Sequence, residues 1–388
     1  MPGRTVNINP EVLKWARESA HMELVEIPKS VISSEKLLDI ENGKKLPSFV
    51  ELQKLAKKYG RPLGILLGDT IPEIDYLNIP FFRKEKKTDY DSALTMYIRD
   101  IQEKQDWARN YLIFEGFSDL DFIGSFQFNE DPVKVAQGIK ERLDLPDYSK
   151  FNHNEDYLKA LRSSFEANNI FVSITGSNLS NKPISIEQAQ GFAIVDEYAP
   201  FIFINTKNTT NAKIFTLIHE VVHLFLNESG ISEDTFRFRK PECKEDEIEN
   251  FCNTVAGEVL MPTNVFISRF NKLSDPLEVR ISKLSKQFLV SELAVCVKLW
   301  KQNQIEYKQY QTAYVSIKEK IDEYLKTKRK KQKDTKGGDY YNNMRSKNGA
   351  LLSSLVFTAY KSGDILSRDL SQILRIKTNS FDKYFATV

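Results

Sequence analysis

"FTLIHEVVHLFL", residues 215–226, sets two of the chain's four histidines four positions apart, with a glutamate beside the first, inside an otherwise apolar run. On a helix, positions i and i+4 lie one above the other, so His219 and His223 turn their imidazoles toward a common point that suits one divalent ion. Glu220 projects to the side, where it can take a proton from a metal-activated water without binding the metal, the division of labour of His-Glu-x-x-His metallopeptidases. With four His and 53 acidic residues in 388 positions, this pattern is expected only about 0.006 times by chance. The competing reading is a buried helix whose histidines bond to neighbouring carbonyls. Against it, a helix apolar nearly all round does not carry three desolvated polar groups without partners.

A catalytic zinc keeps three protein ligands and an open position, so a third ligand is required. His21 falls in an N-terminal helical segment and His153 in the polar stretch "KFNHNEDY", and each suits a surface or capping role better. The better source is "EDEIENFCNTVAGEVLMP", residues 245–262, where Ile248, Phe251, Cys252, Val255, Ala256, Val259 and Leu260 form a helical stripe ended by Pro262. At about 100° per residue from Ile248, Glu249 points between Ala256 and Leu260, inside the apolar arc, whereas Glu247 and Glu258 point outward. Glu245, at about 60° and one turn earlier, remains a competing ligand. Asn253, one turn after Glu249, is placed to hydrogen-bond a ligating histidine and fix its tautomer. Cys252 reads as a small core residue rather than a thiolate ligand.

Together these two segments resemble the ImmA/IrrE family of bacterial and phage metallopeptidases. In that family His-Glu-x-x-His is joined to Glu-x-x-(Ala or Cys)-Asn-x-hydrophobic-Ala, ending in Leu-x-Pro or Leu-Met-Pro, as in "IENFCNTVAGEVLMP". The resemblance covers roughly residues 150 to 265. It implies an α+β, gluzincin-like core, with zinc held by His219, His223 and Glu249 and with Glu220 as general base. It also implies a protein substrate, a helix-turn-helix repressor whose cleavage releases stress, phage or mobile-element genes. Three short strands, "IFVSITG", "GFAIVDEY" and "FIFIN", precede the metal helix. Under this reading "FIFIN" is the sheet edge along which an extended peptide lies, flanked by Tyr198 and Asn205 as candidates for holding an oxyanion.

The flanks divide the chain further. "LKWARESA" and "LLDIENGKKLPSFVELQKLAKKYGRPLGILL" are similar to the XRE-type helix-turn-helix fused to such peptidases. The intervening "HMELVEIPKS" departs from that pattern, because Pro28 interrupts the expected second helix. Residues 1 to 80 hold 11 Lys or Arg against 11 Asp or Glu, and the helix in the DNA-reading position, "SSEKLLDIE", is acidic. Phosphate neutralisation needs a basic face, so this segment reads equally as a DNA-binding module or as a bundle that contacts a partner or senses a signal.

The expected organisation is a helix-turn-helix-like domain at 1–75, a helical linker region at 76–150, the peptidase core at 151–270 and a helical extension at 271–325. A basic flexible linker at 326–338 and a helical C-terminal domain at 339–388 follow. The linker is basic because residues 326 to 336 carry seven Lys or Arg and one Asp, running into Gly337 and Gly338.

A formal charge of +2 gives the whole chain no drive toward nucleic acid or anionic membrane. Three cysteines without paired spacing argue against a disulfide framework. No apolar run reaches membrane-spanning length and no secretory signal opens the chain, so a cytoplasmic protein with no membrane partner is expected. The sequence therefore reads as a zinc endopeptidase acting on a regulatory protein. The alternative is a DNA-binding transcriptional regulator or antitoxin-like protein whose metal domain is sensory or inactive.

Overall fold

The computed structural model describes residues 5–72, 92–178, 182–232, 243–334 and 339–386. The chain divides into two units. The first comprises residues 1–78, 85–103 and 177–184, and the second comprises 79–84, 104–176 and 185–388.

In the first unit the caps set the helix boundaries. Asn9 accepts from the Glu11 amide and Pro10 occupies the first turn, which starts α1 (Pro10–Glu18). Ser33 caps α2 (Ser34–Glu41), and a reciprocal Ser48–Glu51 capping box starts α3 (Phe49–Tyr59). Gly60 ends α3 at φ +65°, a left-handed position where a side chain would also press on Met96. A short α4 (Leu63–Leu66) follows. Between α1 and α2 the chain makes only a single 3-10 turn, Leu24–Glu26, just before the Pro28 that breaks the expected helix.

Leu13, Leu37, Ile40, Leu52, Leu55 and Tyr59 form the core of this unit. Within it the Arg17 guanidinium grips Glu41 through two bonds of 2.8 and 2.9 Å and also donates to the Met22 carbonyl. Replacing Arg17 by Met leaves the Glu41 carboxylate buried and uncompensated. The expected cost is about 3–5 kcal/mol of the first unit's stability, read as a lower midpoint in urea unfolding.

Helix α5 (Ser92–Phe114) is followed by α6 (Pro132–Arg142) and α7 (Asn154–Ala167). Then come β1 (Phe171–Thr175), β2 (Gly191–Ile194) and β3 (Phe201–Asn205), and after them α8 (Thr210–Phe225) and β4 (Gly230–Ser232). The sheet order is β1-β3-β2-β4, so it has four strands where three were expected, the fourth following the metal helix.

The expectation that "FIFIN" forms the sheet edge is overturned. β3 lies inside the sheet, parallel to β1 (Phe171↔Phe201) and antiparallel to β2 (Phe192↔Phe203). The sequence carries the physical reason: a strand covered on both faces reads as a continuous apolar run, and all five β3 residues are buried. β4 pairs antiparallel with the far side of β2.

Helix α8, buried continuously from Ile214 to Phe225, packs on β2 and β3 and against α9 (Lys244–Leu260), which α6 also covers. Helices α10 (Thr263–Asn271), α11 (Leu277–Phe288) and α12 (Glu292–Lys301) complete this core. The pair α11 and α12 falls in the helical extension expected over 271–325.

Helix α13 (Tyr307–Asp334) carries most of the basic run, and Gly337 and Gly338 lie outside the described residues. The remaining helices are α14 (Tyr340–Asn348), α15 (Ala350–Ser362), α16 (Ser367–Leu374) and α17 (Phe381–Phe385).

Helix α14 lies along β1. Ser346 donates to the Ile174 carbonyl at 2.9 Å, Ser173 to the Lys347 carbonyl, and Arg162 to the carbonyls of Val172 and Ser346. Gly349, at φ +85°, closes this contact: a Cβ there would stand 2.9 Å from the Val172 carbonyl oxygen. Among the described residues no helix is long and apolar enough to cross a membrane.

Candidate metal centre

Thr209 caps α8 by accepting from the Ala212 amide, and the helix then presents His219 and His223 one turn apart on a fully buried face. Their Nε2 atoms stand 3.1 Å from each other, with the rings at 67°. Glu249 on α9 completes the triangle: one carboxylate oxygen is 3.3 Å from His219 Nε2 and the other is 3.1 Å from His223 Nε2. Three lone-pair donors aimed at one point repel unless a cation lies between them.

Spacing supports that reading. Neighbouring corners of a tetrahedron with metal–ligand lengths of about 2.0–2.1 Å are about 3.3 Å apart, close to the 3.1 Å between the two Nε2 atoms, and each imidazole has one Glu249 oxygen at 3.3 or 3.1 Å. Among the described residues, His219, His223 and Glu249 are the cluster that can hold an ion. Burial opposes ionisation of Glu249, and the two imidazoles more than offset it, so its carboxyl is held well below the usual carboxylate range. A nitrogen and carboxylate donor set of this kind suits zinc, and also manganese and iron.

The neighbours of the triangle are partly as the sequence indicates. Cys252 Sγ lies 3.8 Å from His223 Nδ1, the ring nitrogen facing away from the cluster. Burial, and then the negative charges of Glu249 and Glu220, push this thiol well above its ordinary range, so it sits there as a neutral group and not as a thiolate ligand. Asn253 makes no hydrogen bond to either imidazole, and its Oδ1 is buried without a hydrogen-bond partner, as is His219 Nδ1. Glu245 is exposed in the first turn of α9 and bonds to Cys243, outside the cluster.

His21 in the first unit and His153 at the start of α7 are also outside the cluster. Asn205 is fully buried at the end of β3, donating to the Ala189 carbonyl and accepting from the Lys207 amide, which closes the strand end. Tyr198 lies under the Arg109 guanidinium.

Glu258 corrects the helical-wheel reading. Expected to point outward, it is 7 % exposed, accepts from Lys298 Nζ at 2.7 Å and from the Thr263 amide at 3.1 Å, and also meets the Thr263 hydroxyl. Lys298 on α12 and Thr263 at the start of α10 reach over this side of α9, partners that the period of a single helix cannot reveal.

Gly191, at the start of β2, was not singled out from sequence. A Cβ there would stand 2.6 Å from Thr216 Cγ2, 2.7 Å from Glu220 Oε1 and 3.0 Å from the Phe203 carbonyl. The sheet thus approaches α8 closely at the turn that carries Glu220, the close backbone contact that a glycine inside a strand pattern signals. Gly191→Ala is expected to cost about 1–3 kcal/mol by overpacking and to weaken metal binding, because α8 must shift away from the sheet. Thermal unfolding and zinc titration of the variant check both parts.

No curated protein matches the chain. Residues 175–299, about a third of its length, match the family model of the IrrE N-terminal-like domain, a peptidase family, over a span that contains α8, α9 and all three residues of the triangle. That segment therefore supports a peptidase of the IrrE/ImmA type.

Proposed function

We propose that the chain is a zinc-dependent, cytoplasmic endopeptidase of gluzincin-like fold that hydrolyses a regulatory protein, with a helix-turn-helix repressor as its substrate class. The observation that carries this is the convergence of His219, His223 and Glu249 one residue from Glu220, inside a segment that matches a peptidase family.

His219, His223 and Glu249 would hold the ion. When bound, it supplies Lewis-acid polarisation of a carbonyl and of water. Glu220 takes the proton of the attacking water and returns it to the leaving amine, so hydrolysis needs no covalent intermediate on the protein. Gly191, whose bare backbone carries no side chain, leaves room for this carboxylate beside the sheet.

The first unit is then a recognition module. α2, which stands where a DNA-reading helix is expected, carries Glu35 and Asp39 outside the core against one lysine, Lys36, while Glu41 is buried against Arg17. Such a face favours a protein partner over a phosphate backbone.

The test is incubation of the zinc-loaded full chain with a helix-turn-helix repressor whose gene neighbours its own. Specific cleavage that stops on chelation is the expected result. An intact repressor with metal stoichiometrically bound, or cleavage indifferent to chelator, refutes the reading. A gel shift on upstream DNA, unchanged by chelator, would favour the transcription-regulator alternative.

A further inference from the structure

Charge is spread unevenly along the chain. Residues 326–388 carry 14 Lys or Arg against five Asp and no Glu, whereas residues 1–325 carry 41 Lys or Arg against 48 Asp or Glu. A near-neutral total therefore hides a strongly basic end, the asymmetry that attends binding to a polyanion.

The helices at that end have a telling spacing. α16 stops at Arg375, whose φ of +56° is the left-handed conformation usually given to glycine. After Ile376 and Lys377 the chain makes one 3-10 turn, Thr378–Ser380, that leads directly into α17. Leu370, Leu374, Ile376 and Tyr384 are buried, and Phe381 faces Tyr360 of α15. Two short helical segments joined by a three-residue turn and closed on a shared apolar side make a helix-turn-helix.

The turn is tied on both sides. Ser371 donates to the Ile376 carbonyl at 2.6 Å, and Asn348 to the Leu374 carbonyl at 2.9 Å. The Tyr384 hydroxyl lies 3.1 Å from Asn348 Nδ2 and 2.7 Å from the Ser353 hydroxyl, and Phe385 stacks on Phe357. With that inner side fixed, Lys377, Thr378, Asn379, Asp382 and Lys383 stay exposed. Such side chains match base edges and phosphates: Asn pairs with adenine, Asp accepts from cytosine, and Lys meets guanine or the backbone.

We propose that α16 and residues 378–385 form a helix-turn-helix that reads duplex DNA, with Asn379, Asp382 and Lys383 toward the major groove and the basic run at 326–336 adding phosphate contacts. This module lies outside the residues that match the peptidase family, so it stands or falls apart from hydrolysis. A gel shift then counts against the peptidase reading only where the repressor also stays intact.

The experiment selects short duplexes with randomised centres on the zinc-loaded full chain, then measures affinity for the enriched duplex and for the unselected pool by fluorescence anisotropy. One shared sequence is expected to be enriched and bound at least about tenfold more tightly than the pool. Asn379→Ala and Lys383→Ala, both at exposed positions, are each expected to weaken binding to the enriched duplex about tenfold with unchanged circular dichroism, and Lys44→Ala in the first unit is expected to leave it unchanged. Binding of the pool without enrichment of any sequence overturns the proposal. So does an enriched duplex that both folded variants bind as tightly as the wild type.

Discussion

Glu220→Gln is expected to lower peptide hydrolysis by about 10²–10⁴-fold, the range that a positioned general base contributes, while the metal content stays at wild-type level. The expectation follows from placement. Glu220 is adjacent to His219 on α8, but the atoms that converge on the common point are those of His219, His223 and Glu249. Glutamine keeps the size and polarity of the side chain, so the tight fit against Gly191 and Thr216 is preserved. What is lost is the capacity to accept a proton. Metal analysis and turnover measured on the same preparation separate the two roles. A folded, metal-free variant would show that Glu220 is a ligand, and undiminished turnover would remove it from the chemistry.

The second large effect is expected at Glu249. Its carboxylate is the only anionic member of the triangle and spans both imidazoles, at 3.3 and 3.1 Å. Outer-shell partners of metal ligands contribute about 10–100-fold to affinity, so loss of a ligand itself in Glu249→Ala is expected to exceed about 100-fold and to take hydrolysis with it. Glu245→Ala is the matched control. It removes an acid from the same helix, four residues earlier and in solvent, and is expected to leave zinc affinity unchanged. If Glu245→Ala rather than Glu249→Ala released the metal, the assignment of the third ligand would be reversed.

These contrasts show where sequence reasoning reaches and where it stops. His219 and His223 share a face because the α-helical period dictates it, and Glu249 could be singled out because a carboxylate inside an apolar arc is costly without a partner. Both arguments use one helix at a time. Glu258 escaped them because its cover comes from α12, forty positions along the chain from Glu258 to Lys298. The place of β3 inside the sheet depends on which strands it pairs with. "FIFIN" recorded this only as a lack of alternation. β4 is three residues long, too short for a period-2 pattern to register. The close approach of Gly191 to Glu220 and the contact of Cys252 with His223 join elements far apart in sequence, which local spacing does not encode.

The seating of α14 along β1 has a consequence for assembly. A bare strand rim is a template on which another chain can zip its backbone, and α14 occupies that rim on the β1 side with the Ser346 hydroxyl and the Lys347 carbonyl. Among the described strands, lateral growth of the sheet is thereby confined to β4. Deleting residues 339–388 is expected to promote self-association through β1, visible as light scattering that rises with concentration more steeply than for the full chain.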